Sequence, residues 1–348
     1  MSWLKGLFSK KALFRGLQVF CAIIATYIAG ALGLVFWPSP APFGDEAPIV
    51  EEWQDRDIAE GGVKDTRETY ETIVFSSRDG EMLHASRFGS DAETTIIFLH
   101  GIASTSDALI NGALLLHQAT GAEVITPDYR GHGRSSGRPY DVDYIGQYED
   151  DLEDVIAAVL ASNPSERVII AGHSMGGGVA MRYALKDNAP VPAAYLLLAP
   201  NFGEGPTQRS GEDMDPDQAD EAASFVHFDV RRMIGLIMLN SIGVTWLNQL
   251  PIMYFNAPPA VIEYSYRAVM SAQPIRPHTS DEALQAVSVP LLVVVGSDDE
   301  IFDVSAFPDF IRANSDGETI ILPGLTHGSI YSDPATFEVV GEWYQRLP

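Results

Sequence analysis

The sequence predicts an α/β fold: a mostly parallel eight-stranded sheet with helices on both faces, a cap inserted after the sixth strand, and a transmembrane helix ahead of it all. Three observations predict it. Six short, β-branched apolar runs, from "TTIIFLHG" to "ETIILPG", alternate with helical patterns, as parallel strands buried on both faces and joined by helical crossovers do. Two alternating runs meeting at Asp79-Gly80 precede them and add a hairpin of antiparallel strands at one edge. The regular alternation then breaks between Asn201 and about Thr279, leaving at the catalytic end of a strand a segment able to cover whatever lies there.

The elements follow in order. Residues 1–15 carry Lys5, Lys10, Lys11 and Arg15 and no acid. Residues 16–37, "GLQVFCAIIATYIAGALGLVFW", are 22 residues without a charge; at about 1.5 Å per residue they cross a hydrocarbon core of roughly 30 Å. The basic flank places the N-terminus in the cytoplasm and the globular part on the periplasmic or extracellular side. A cleaved signal peptide is the competing reading, and it too exports the domain. Cys21, the only cysteine, lies inside this run, so no internal disulfide forms and no thiolate metal site is available. A linker over 38–66, Pro-rich and then acidic, leads to a domain over 67–348 with its cap at about 201–279. The chain has 348 residues, 46% of them hydrophobic, and a formal charge of −25. The whole excess of acid lies beyond residue 40, and such a surface repels nucleic acid and anionic lipid head groups. There is no internal repeat, "GHSMGG" lacks the Lys-Ser/Thr ending of a phosphate-binding loop, and no histidine pair has zinc-ligand spacing, so neither cofactor nor metal is expected.

The chemistry concentrates in "VIIAGHSMGGGVAM", residues 168–181. An apolar strand gives way to a helix through Gly172-x-Ser174-x-Gly176, a strand-to-helix elbow that lifts a hydroxyl to the sheet edge. The competing reading is a glycine-rich turn whose serine caps the helix. A serine hydroxyl is a weak nucleophile and needs a base, itself held by an acid. Of eight histidines only His327, in "LPGLTHGSI", follows the last strand on a loop. The acid belongs after the preceding strand, in "GSDDEIFD": Asp299, three residues after Gly296, or Asp298, since one step of loop register exchanges them. Asp303 suits the cap of a helix from about Val304 to Ala313. Two donors are needed for an oxyanion: the N–H of Met175 at the helix start and, from "LHGIAST", that of Ile102. In the cap, Trp246, Leu250, Met253 and Phe255 are candidate walls of an acyl pocket, while most of its other apolar residues pack the cap onto the core.

Together "FLHG" (98–101), "DYRGHGRSSG" (128–137), "GHSMGG" (172–177), "GSDDEIFD" (296–303) and "THG" (326–328) resemble the α/β-hydrolase superfamily, and within it the monoacylglycerol lipase, lysophospholipase and serine aminopeptidase-like branch. The resemblance covers about Thr72 to Leu347 without the cap. It implies Ser174 as nucleophile, Asp299 as acid and His327 as base, with Asp128, Arg130 and His132 on a supporting loop. The sequence after the first His-Gly, "IASTSDA", departs from the monoacylglycerol lipase pattern. The expected activity is hydrolysis of a small-molecule acyl ester, lipid-like as in monoacylglycerols or lysophospholipids, by a membrane-anchored enzyme. A serine aminopeptidase-like activity on short peptides is the alternative, with cap acids among Glu212, Asp213, Asp215, Asp217, Asp220 and Glu221 holding the free amine; a catalytically silent fold that binds a lipid or a protein is the third.

Overall fold

The computed structural model describes residues 10–38, 43, 70–90, 92–163, 166–209, 225–257, 260–275 and 279–348. Eight strands form the main sheet: β1 (Tyr70–Ser76), β2 (Met82–Phe88), β3 (Thr94–Leu99), β4 (Glu123–Pro127), β5 (Arg167–His173), β6 (Ala194–Leu198), β10 (Leu291–Gly296) and β11 (Glu318–Leu322), in the spatial order β1-β2-β4-β3-β5-β6-β10-β11. The hairpin at Asp79-Gly80 contributes one antiparallel strand rather than two. β2 opposes both β1 and β4, so β1 points the same way as the parallel strands.

The apolar runs are explained by what each face touches. Successive side chains of a strand point to opposite faces. Ile97, Leu99, Ile170, Leu197, Val293 and Val295 enter one core, and Ile96, Phe98, Ile169, Ala171, Leu196, Leu198, Leu292 and Val294 the other. The second core is closed by α2 (Ile110–Thr120) and α9 (Pro334–Tyr344), through Ala113, Leu116, Phe337, Val340 and Trp343. The first is closed by α3 (Gln147–Ser162), α4 (Met175–Ala184), α7 (Ser280–Ala286) and α8 (Phe307–Asn314). Asp303 caps the short 3₁₀ turn that leads into α8, its carboxylate accepting from Ser305 N–H at 3.0 Å.

Between β6 and β10 lies the cap, whose described part holds a second, antiparallel sheet, β7 (Val226–Phe228), β8 (Pro251–Ala257) and β9 (Ala260–Ser265), with α5 (Val230–Asn240) and α6 (Tyr266–Ser271). The six cap acids fall outside the described residues, as does most of the 38–66 linker. Ahead of the sheet, α1 (Lys10–Val35) contains Leu13–Val35, the one helix among the described residues long and apolar enough to cross a membrane. It ends two residues before the expected Trp37, with Phe36 and Trp37 turning out of it, because Pro38 disfavours helical geometry in the residue before it.

Candidate active site

Ser174 stands at the C-terminal end of β5, the strand between β3 and β6. Its backbone is at φ +51°, ψ −115°, a conformation that costs a non-glycine residue about 1–3 kcal/mol and persists only where the surroundings impose it. The glycines show how they do. A Cβ on Gly172 would lie 2.3 Å from the Gly176 carbonyl carbon, and one on Gly176 would lie 2.3 Å from the Leu99 carbonyl oxygen. Strand β5, helix α4 and strand β3 therefore meet backbone to backbone, and only glycine permits it. The serine caps no helix with its side chain, which removes the competing reading of the elbow.

Asp299 and His327, the candidate acid and base, follow β10 and β11. A Cβ on Gly296, the last residue of β10, would lie 1.9 Å from the Leu325 carbonyl oxygen, so the two loops touch. Asp299, with no exposed surface, places Oδ2 2.9 Å from His327 Nδ1, while its Oδ1 accepts the N–H groups of Ile301 at 2.8 Å and Phe302 at 2.9 Å. Burial pushes the Asp299 carboxyl up, but its hydrogen bond to His327 and the two backbone donors outweigh that and hold it below the usual carboxylate range. Asp298 faces elsewhere, accepting from Ser297 Oγ at 2.7 Å. The His327 backbone N–H donates to Glu300 at 3.0 Å, and its ring stands edge-on to Phe302 with centroids 5.2 Å apart.

His173, next to the serine, ties the elbow to the base's loop. Its Nε2 lies 2.9 Å from the His327 carbonyl oxygen, which only accepts, so that nitrogen carries the proton. Burial, with the adjacent His327 ring, pushes His173 down to about 3, so it stays neutral.

On the other flank, Met175 opens α4, whose first N–H groups have no carbonyl one turn back to bond. Ile102 follows β3, and Ala103 beside it is held at φ +54°. A feature absent from the sequence reading holds this loop. His132 Nδ1 donates to the Arg130 carbonyl at 2.9 Å, leaving Nε2 to accept from Tyr264 Oη at 2.7 Å; the same Oη accepts the Ala103 N–H at 2.8 Å. Burial lowers His132 to about 3 and so preserves the neutral tautomer this chain of bonds requires. Tyr264, fully buried on cap strand β9, thus fixes the backbone next to Ile102, the second candidate donor. Asp128 works on the same loops: its Oδ1 accepts Ser106 N–H at 2.7 Å and its Oδ2 Arg134 N–H at 2.9 Å. Arg209, also unforeseen, braces the acid's loop from the cap, donating to the carbonyls of Asp299 at 2.7 Å and Phe302 at 3.1 Å.

Of the candidate pocket residues, Phe255 is buried with its ring centroid 5.7 Å from that of Tyr264, one residue removed from the Ala103 loop. Leu250 and Met253 are half-buried against the same core. Trp246 is 69% exposed; a ring that open walls no enclosed pocket, and it sits there because the turn after α5 turns it outward.

A strained serine at the C-terminal end of a parallel strand and a buried carboxylate bonded to an imidazole fit a serine hydrolase of the α/β-hydrolase superfamily. Residues 90–334 match the Hydrolase_4 family, described as serine aminopeptidase, S33, and the chain belongs to that family. Among individual proteins it is similar to a monoglyceride lipase homolog of Monkeypox virus, 25% identical over 60% of this chain and 72% of that one. A non-heme haloperoxidase of Rhodococcus erythropolis is 28% identical over 73% and 92% of the two chains. An esterase of Thermogutta terrifontis shares the fold, with a TM-score of 0.54, 17% identity, and coverage of 80% of this chain and 99% of that one.

Proposed function

We propose that this chain is a membrane-anchored carboxylic ester hydrolase acting on lipid-like acyl esters such as monoacylglycerols or lysophospholipids. Ser174 attacks the carbonyl carbon while His327 Nε2 takes its proton; the negative charge gathers on the carbonyl oxygen, facing the N–H groups of Met175 and Ile102. His327 then protonates the leaving alcohol, and a water activated by the same imidazole releases the acid. Asp299 keeps the imidazole's proton on Nδ1 and stabilises the imidazolium without itself taking the proton. The observation that carries this reading is the buried Asp299 Oδ2 at 2.9 Å from His327 Nδ1, with the His327 backbone bonded to the residue beside Ser174.

Lipid as substrate is supported by the apolar cap around Leu250, Met253 and Phe255, by the N-terminal apolar helix, and by a relative described as a monoglyceride lipase homolog. The test is the rate of ester hydrolysis against acyl length, with Ser174→Ala as blank. Rates climbing toward long chains support the reading. Rates confined to acetyl and butyryl esters refute the lipid substrate, and turnover of aminoacyl arylamides in their place establishes the peptidase.

A further inference from the structure

The N-terminal helix does not stand apart from the catalytic domain: its last two turns are packed along cap helix α5, antiparallel to it. Arg232 Nε donates to the Val35 carbonyl at 3.3 Å. One turn on, a Cβ at Gly235 would lie 2.7 Å from the Ala31 carbonyl oxygen and 2.9 Å from Val35 N. Further along, Tyr27 Oη donates to the Met238 carbonyl at 3.2 Å and lies 3.0 Å from Ser241 Oγ. A glycine inside a helix costs about 1 kcal/mol relative to alanine; here it lets two backbones touch, the way helices associate within lipid. Ala31 and Val35 are buried by this contact, while Leu13, Phe14, Leu17, Val19, Phe20 and Ile23 stay exposed.

The pairing fixes a depth. From Val35 back to Tyr27 is eight residues, about 12 Å along a helix. If the apolar stretch ends at Val35 on the boundary of the hydrocarbon, α5 follows it some 12 Å inward, well into a leaflet of roughly 15 Å, half the hydrocarbon core. Two independent features fit that depth. The free side of α5 and the turn after it are apolar and open: Ile234, Ile237, Ile242 and Trp246 are 45%, 47%, 45% and 69% exposed. Several of their polar groups are bonded internally, as suits an element set among lipid chains. Asn240 and Asn248 exchange amide hydrogen bonds, both at 2.8 Å. Ser241 Oγ donates to the Met238 carbonyl at 2.7 Å, and the N–H groups of Ile242, Gly243 and Val244 all bond carbonyls of the last turn of α5. At the other end, Arg231 lies over the Trp37 ring, 5.7 Å from its centroid, and Trp37 has the place of an interfacial aromatic.

We infer that α5 and the Ser241–Trp246 turn lie embedded in the bilayer leaflet on the side of the catalytic domain, clamped to the spanning helix at Gly235. The inference rests on the reading of α1 as a membrane span. The chain's charge of −25 makes apolar insertion, not attraction to anionic head groups, the binding force. Beyond the embedded turn the chain enters strand β8, whose Phe255 ring meets that of Tyr264 on β9, the residue that holds the Ala103 loop; on this inference a bilayer substrate approaches Ser174 from that side.

The test uses the full chain with Cys21→Ser, reconstituted in phosphatidylcholine vesicles whose acyl chains carry bromine near their middle. A fluorophore is attached at Ile237→Cys, Ile242→Cys, Ile23→Cys or Val191→Cys in turn. The expected result is strong quenching at 23, 237 and 242 and none at 191. Quenching at 23 without 237 and 242 overturns the embedded cap and leaves the anchor standing; no quenching at 23 overturns the anchor and with it this inference. A Gly235→Leu chain is expected to keep quenching at 23, lose it at 237, and retain turnover of a water-soluble short ester while losing most of its turnover of ester in the vesicle. Equal retention of both rates, with quenching at 237 intact, also overturns it.

Discussion

Replacing Asp299 by asparagine isolates the acid's chemical role, because the exchange keeps shape and changes only charge and hydrogen-bond polarity. Asn Oδ1 still accepts the Ile301 and Phe302 N–H groups, which now lie at 2.8 and 2.9 Å, so the loop keeps its form. The amide nitrogen takes the position of Oδ2, 2.9 Å from His327 Nδ1, and there it donates. The imidazole must then accept at Nδ1 and carry its proton on Nε2, where the serine's proton has to go. The corresponding acid-to-amide exchange in a serine protease triad lowers kcat about 10⁴-fold, or about 5.5 kcal/mol of transition-state stabilisation. The expected loss for Asp299→Asn is of that order. Stability should fall by about 1.5–3 kcal/mol, one hydrogen bond to a charged group. The assay is steady-state hydrolysis of a chromogenic ester beside a urea titration, with Asp298→Asn as comparison. Asp298 bonds only Ser297 Oγ among side chains, and its exchange should leave kcat within about twofold, the size of an ordinary surface substitution. A loss below tenfold in Asp299→Asn, or a larger loss in Asp298→Asn, refutes this reasoning.

Tyr264→Phe removes the one acceptor of the Ala103 N–H and the donor to His132; as a positioning change it should lower kcat by about tenfold, with KM little altered, on the scale of one hydrogen bond to a group poised for the transition state. An unchanged kcat would free Tyr264 of any role at the site. Burial holds His132 and His173 at about 3 against 6.5 in the unfolded chain, so below pH 6.5 the unfolded state binds protons the folded state refuses, and stability falls with pH. Between pH 7 and 5 each withdraws about 2 kcal/mol, about 4 together, readable as a drop in the urea midpoint; the buried His100 acts in the same direction. Asp299, held below 3.8, gives stability that is present above that value and is lost only as pH falls through its folded pKa. Gly176→Ala sets a methyl 2.3 Å from the Leu99 carbonyl oxygen, and backbone on both sides leaves it nowhere to go; a loss of about 3 kcal/mol or more is expected, beyond ordinary overpacking, and a chain as stable as the parent in urea would contradict the close approach.

What the sequence made legible is local. Strands β3, β5, β6 and β10 are apolar runs because both faces are covered, and the elbow declares itself through glycines that clash if given a single methyl. The sequence places His327 on the loop after the last strand, where its ring meets Asp299. Asp299 and Asp298 were interchangeable by spacing, and a tight turn, Asp299 N–H to Gly296 carbonyl at 3.3 Å, decides which one points inward. The long-range contacts left no periodic trace. Tyr264 meets Ala103 across 161 positions and Tyr27 meets Met238 across 211; neither pair has a spacing to read. The cap's short antiparallel strands were hidden because β7 has three residues and β8 sits in an apolar segment long enough to read as helix. Nothing in its sequence neighbourhood marks Gly235 as the residue against Ala31.

The most direct test of Ser174 as the nucleophile is intact-mass and peptide mapping after treatment of the folded chain with a fluorophosphonate. One adduct per chain, on the peptide that contains Ser174 and absent from Ser174→Ala, is the expected result. No adduct on folded protein, or an adduct at another residue that survives Ser174→Ala, would contradict it.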